Sequence, residues 1–237
     1  LLIDTLSMTK SKKFGGFTII IVALFFLCQR IYAQDIAEDE HGLYVQHHIF
    51  YAGVVAGVNL SQVDGDNFAG YYKYGANLGL IGYAKLWKKV ALSYELLYSQ
   101  RGSRATAIDL PKISGIDSIL ITKYGINVNY AEIPVMINVF DKTKSHIGAG
   151  ISYSRLLSSS ETLQTYPATN AGLSKYPFIK NNMEFVVSSE LHIWKGLFFN
   201  IRFQYSIIPM RLAVPPNFSR SVQYINMWSL RMMYLIF

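Results

Sequence analysis

Met183-Glu184-Phe185-Val186-Val187-Ser188-Ser189-Glu190-Leu191-His192-Ile193 leads through Trp194-Lys195-Gly196 into Leu197-Phe198-Phe199-Asn200-Ile201-Arg202-Phe203-Gln204-Tyr205-Ser206-Ile207. In the first arm Met183, Phe185, Val187, Leu191 and Ile193 fall on one face, and Asn182, Glu184, Ser188, Glu190 and His192 on the other. In the second arm Leu197, Phe199, Ile201, Phe203, Tyr205 and Ile207 oppose Asn200, Arg202, Gln204 and Ser206. Strand side chains alternate between faces, so a sustained period of two predicts a β-hairpin. Each arm outlasts the usual strand of about five or six residues. Both match the roughly 9–11 residues a tilted strand needs to cross a bilayer.

Composition points the same way. Of 237 residues 51% are hydrophobic and 16% charged, against about 25% charged in soluble domains. Beyond the N-terminus no run of roughly 18 apolar residues occurs, which excludes membrane-spanning helices there. Polar and apolar residues interleave instead, as in a transmembrane β-barrel.

Residues 1–33 read as an export signal: Lys10, Lys12 and Lys13 precede an apolar core over 17–27, and Ile31-Tyr32-Ala33 supplies a small residue for cleavage before Gln34. Met8 is the more natural start. Phe26-Leu27 before Cys28 does not suit lipidation. Cleavage removes the only cysteine, leaving no thiol chemistry. It leaves 18 basic against 14 acidic residues, a net +4 over 204 residues. That charge, without a basic run interleaved with aromatics, does not support nucleic-acid binding.

Residues 34–48 are polar and read as a periplasmic lead. Its His41, His47 and His48 lack the fixed ligand set a metal needs. Residues 49–237 read as one barrel, with strands expected over 50–60, 72–85, 90–103, 128–140, 145–157, 183–193, 197–207 and 222–237. Pro134 predicts a local lapse in hydrogen bonding. Asp64-Gly65-Asp66-Asn67 departs from the calcium-loop pattern and reads as a solvated turn. Residues 158–180, rich in Ser, Thr, Asn and Pro, read as the longest loop. Three tight turns alternate with four long loops, predicting an all-β, eight-stranded antiparallel up-and-down barrel with its termini in the periplasm.

A soluble barrel would share the periodicity, but its apolar face would point inward. Here the apolar face carries Tyr94, Tyr98, Phe185, Phe199 and Phe203, too bulky for the inside of eight strands, while the other face is small and polar. Trp87, Trp194 and Trp228 suit aromatic girdles. The expectation is a membrane barrel with a filled, non-conducting lumen.

Gly57-Val58-Asn59-Leu60-Ser61, Glu95-Leu96-Leu97-Tyr98-Ser99-Gln100-Arg101-Gly102 and Tyr130-Ala131-Glu132-Ile133-Pro134 occur in that order. With the aromatic end of the last strand, this series resembles the PorT-like outer-membrane β-barrel proteins over about residues 50–237. The resemblance is to the broad family, whose name derives from a component of type IX secretion and gliding machinery. It implies an outer-membrane location in a Gram-negative bacterium. Tyr234 and Phe237 resemble the terminal signal read by the barrel-assembly machinery. Strict alternation places Phe237 inward, so the end is expected to bend or fray.

Glu95, Arg101, Glu132, Glu184, Glu190, His192, Arg202 and Arg231 are the expected lumen network, with His146 a further inward candidate. Glu190 and His192, two apart on one face, have the form of an acid–base pair, but a narrow lumen needs such groups to balance its own charge. The histidines all fall at or below the tight-turn end, so no catalytic rim cluster is expected, nor any cofactor or metal. The function expected is a structural or interaction platform, accessory to type IX secretion or envelope assembly in one form of that reading. Outer-membrane lipid, lipopolysaccharide, the barrel-assembly machinery and secretion or envelope proteins are the partners. The alternative is a small transport or ligand-binding barrel with the loop mouth as its site.

Overall fold

Alternation carried round a full circle leaves no sheet edge, and the chain closes in that way. In the computed structural model, residues 50–66, 70–106, 120–166, 173–213 and 219–236 are described. The strands are β1 Phe50–Asp66, β2 Lys73–Trp87, β3 Val90–Thr106, β4 Leu120–Phe140, β5 His146–Tyr166, β6 Asn181–Trp194, β7 Leu197–Ser206 and β8 Ser219–Ile236. Each pairs antiparallel with its sequence neighbours, and β1 pairs with β8 to close the barrel.

The tight turns lie at Lys88-Lys89, at residues 141–145 and at Lys195-Gly196. Lys144 and Lys195 adopt positive φ (68° and 46°) there, a region side chains seldom enter outside turns. The long connections are all at the opposite end. Residues 1–49, the export signal and the polar lead, and Phe237 lie outside the described residues.

Several strands run further than hydropathy indicates. β5 continues to Tyr166, so the first part of the expected loop over 158–180 is strand. β4 starts at Leu120 and pairs with that extension, from Leu120↔Tyr166 down to Asn129↔Ser158. Above the apolar band both faces of a strand can be polar, so alternation fades while hydrogen bonding persists.

Between Asn129↔Ser158 and Tyr130↔Leu156 the register shifts, leaving Leu157 as an extra residue. Such a bulge re-aims the side chains beyond it. Ser152 and Ser154 point inward below it, whereas Glu161 and Leu163 do so above it. At Pro134, which has no N–H to donate, the β3–β4 ladder lapses between Tyr94↔Val135 and Leu97↔Glu132 and resumes in register.

The outward face is a continuous apolar band including Val54, Leu80, Tyr94, Leu96, Ile137, Ile147, Phe185 and Leu230. An exposed patch of that extent marks a surface that does not meet water. The inward face departs from the small, polar lining expected. At the tight-turn end Tyr51, Ile81, Tyr83, Phe140, Phe198 and Met233 form an apolar plug. At the long-loop end Val63, Tyr124, Ile126, Tyr130, Met210 and Ile225 form a second. Small inward neighbours such as Ala91 and Gly148 leave room for these rings. Charge occupies the layer between the plugs.

Candidate functional site: a charged layer inside the barrel

Inward positions on β3, β4, β6, β7 and β8 project Glu95, Arg101, Glu132, Glu184, Glu190, Arg202 and Arg231 into the lumen, all buried. In one cluster Arg101 forks between Glu132 and Glu184, and its Nε donates to Ser99 Oγ at 3.0 Å. Glu132 also accepts from Ser152 Oγ at 2.9 Å, and Glu184 from Asn182 Nδ2 at 2.8 Å. Gln204 Nε2 donates to both carboxylates.

In the other cluster Glu95 accepts from Arg202 and, at 2.8 Å, from Arg231 Nη1. Arg231 Nε donates to Asn200 Oδ1 at 2.7 Å, and Asn200 donates to Glu190. Ser188 Oγ donates to Glu190 Oε1 at 2.7 Å. Charge-assisted bonds of this kind are what allow arginine and carboxylate to share a dry interior.

His192 does not join this layer. The β6–β7 register shifts between His192 and Trp194, and the half-buried ring caps the turn with Nε2 2.6 Å from the Lys195 carbonyl. Its place beside Glu190 is taken by His146, whose Nε2 lies 3.6 Å from Glu190 Oε2 and 3.0 Å from the Tyr83 hydroxyl. The His146 ring stacks on Phe140 at 4.1 Å. The two-residue spacing of Glu190 and His192 therefore builds no acid–base pair.

The three motifs that carry the family resemblance meet here. Gly57 pairs with Arg231, and a Cβ at Gly57 would fall 2.2 Å from the Leu230 carbonyl oxygen and 2.8 Å from Arg231 Cγ. Asn59 Nδ2 donates to Ser99 Oγ at 3.0 Å, the Gly102 N–H donates to Ser61 Oγ at 3.0 Å, and the Arg101 guanidinium lies 5.1 Å from the Tyr130 ring centre. Three segments distant in sequence thus supply one interior layer.

At the long-loop end the structure adds a pair that sequence reading left in loops. Arg211 binds Glu161 through two contacts of 3.1 and 3.2 Å, and Tyr124 donates to the same carboxylate at 2.7 Å. Residues 158–166 are polar on both faces, so alternation carried no signal for this pair. Nor are Asp64 and Asp66 a solvated turn: they end β1, with Asp66 buried and accepting from Ser103 Oγ at 2.9 Å, and Asp64 from Gln62 at 3.0 Å. Asn67 lies outside the described residues. Among the described residues no group of three His, Cys, Asp or Glu is placed to hold a metal. Tyr234 is exposed on the outward face.

The model of the outer membrane protein beta-barrel domain family matches residues 33–211, most of the chain. This chain belongs to that family. It is an outer-membrane β-barrel protein, and the outward apolar band is its lipid-facing surface. The finer PorT-like assignment has no separate match. No curated protein sequence matches the chain.

Among solved structures, similarity extends to Ail, the attachment invasion locus protein of Yersinia pestis, in complex with the heparin analogue sucrose octasulfate: 11% identity, TM-score 0.40, covering 80% of this chain and 100% of that one. Neisserial surface protein A shows 11% identity and a TM-score of 0.43, covering 79% and 97%. The outer membrane protein AlkL shows 16% identity and a TM-score of 0.36, covering 85% and 97%.

Proposed function

We propose that this barrel is non-enzymatic and acts as a structural and interaction platform in the outer membrane, with its long-loop end facing outward. The observation that carries this reading is the sealed interior. Two apolar plugs enclose a charged layer in which seven buried side chains pair with one another or with neighbouring polar groups. Ser188 donates to Glu190 rather than to His146, so the two do not form a Ser–His pair. What remains available is the outside of the molecule.

Arg104 and Lys123 lie exposed near Tyr74 and Thr162 at the long-loop end. Among the described residues the acids of that end, Asp64, Asp66 and Glu161, are hydrogen-bonded within the barrel. This outward cation pair supports contact with anionic headgroups such as those of lipopolysaccharide. In this reading residues 1–33 are a cleaved export signal, the termini are periplasmic, and the barrel-assembly machinery reads the last strand. An accessory role in type IX secretion or envelope assembly is the narrower form, supported by the three motifs resembling PorT-like proteins.

The test is recovery of the tagged protein from its native outer membrane in mild detergent, followed by mass spectrometry. Stoichiometric secretion, gliding or envelope-assembly components would establish the accessory role, and recovery with lipopolysaccharide and abundant barrels alone would remove it. The alternative, a small ligand-binding barrel, draws support from a recess at the loop mouth beside β5.

A further inference from the structure

The barrel wall is uneven above the last β5–β6 pair, Arg155↔Asn181. β5 continues to Tyr166, while β6 starts at Asn181 and β7 stops at Ser206. Residues 173–180 and 207–213 partly close the gap. The Leu156 N–H donates to the Lys180 carbonyl at 2.7 Å, and those of Ile179 and Met210 donate to the Met210 and Gln223 carbonyls at 2.8 Å. Between β5 and the segment 173–180 a recess of about 530 Å³ remains, within the size range of small-molecule sites.

Its construction is specific. Leu157, the bulged residue, is 58% exposed and continues the lipid-facing band into the recess, where Leu173, Tyr176 and Phe178 supply the other apolar wall. Phe178 also packs on the upper plug, and the Arg211 guanidinium lies 4.1 Å from the centre of its ring. The recess is therefore shut from the lumen and meets the membrane only at its interface. Glu161 lines it too, but Arg211 holds both carboxylate oxygens. Lys180 is the other charged side chain of the lining, and it forms no ion pair among the described residues.

We propose that this recess binds a single-chain amphiphile bearing one carboxylate, a fatty acid drawn from the adjoining leaflet. The tail lies against Leu157, Leu173 and Phe178, and the carboxylate faces Lys180. One unpaired cation matches one anionic charge, and an apolar wall continuous with the lipid band gives the chain a route in without crossing water. The site is independent of the platform reading, since its floor is closed and nothing passes through the barrel.

The experiment uses the full barrel in phosphatidylcholine nanodiscs, with folding checked by heat-dependent gel migration and binding of radiolabelled dodecanoate measured at equilibrium. The expected result is saturable binding of one dodecanoate per barrel. Lys180→Glu weakens it by about tenfold or more, the loss expected for a charge-assisted contact. Ser159→Trp and Leu173→Trp, two independent ways of filling the recess, abolish it, and dodecanol binds correspondingly less well than dodecanoate. Unsaturable partitioning, equal affinity in all the folded variants, or dodecanol binding as tightly as dodecanoate would overturn the proposal.

Discussion

Arg101 on β3 and Glu184 on β6 meet across the inside of the barrel although 83 positions separate them in the chain. With Glu132, the other carboxylate on the same guanidinium, they join β3, β4 and β6 at a level between the two apolar plugs. Removing one member of a buried ion group leaves the others uncompensated.

Arg101→Ala therefore strands two buried carboxylates and should cost about 3–5 kcal/mol. Replacing all three members together, Arg101→Met with Glu132→Gln and Glu184→Gln, should recover most of that loss. Reversible urea unfolding into lipid vesicles measures both. A single-variant cost below about 1 kcal/mol, the size of a surface pair, would mean that the charged layer does not hold the strands.

Leu157 is the extra residue of the β5 bulge. Deleting Leu157 should restore simple alternation with Glu161 still inward, whereas inserting one residue after Ser158 should turn Glu161 outward, because a one-residue slip moves every later side chain to the other face. In the insertion variant Arg211 would lose its carboxylate. Hydrogen exchange should then rise over residues 173–180 and 207–213 while the tight-turn end keeps its protection. Unchanged exchange in the first region would refute this role for the bulge.

Gly57 sits on the closing seam between β1 and β8, where an added Cβ meets the Leu230 carbonyl and Arg231. Gly57→Val should cost about 1–3 kcal/mol through overpacking and lower the yield of heat-modifiable, closed barrel. A yield matching that of the native chain would show that the seam can shift freely.

The plugs and the charged layer block the lumen in series. In planar bilayers the protein should give no stepwise conductance, and Phe198→Ala should stay silent because the charged layer persists behind it. Discrete steps in the native protein would rule out a sealed interior.

The sequence by itself determined the barrel. Alternation in Asn181–Trp194 and Leu197–Ser206, the outward aromatics and the alternating connection lengths stem from the two-residue repeat of a strand and the thickness of a bilayer. Parity within each strand also sends Glu95, Arg101, Glu132, Glu184, Glu190, Arg202 and Arg231 to the inner side.

Tertiary structure decided who meets whom. Pairing across a lumen depends on strand stagger and on bulges, which one-dimensional alternation does not encode. The shift at Leu157 brought Glu161 to Arg211, and the β5–β6 pairing of His146 with Glu190 set that ring beside the carboxylate while His192 stayed at the turn. The aromatic plugs likewise needed three dimensions: room for Phe198 or Tyr83 comes from small residues on other strands, a volume that no single strand's pattern reveals.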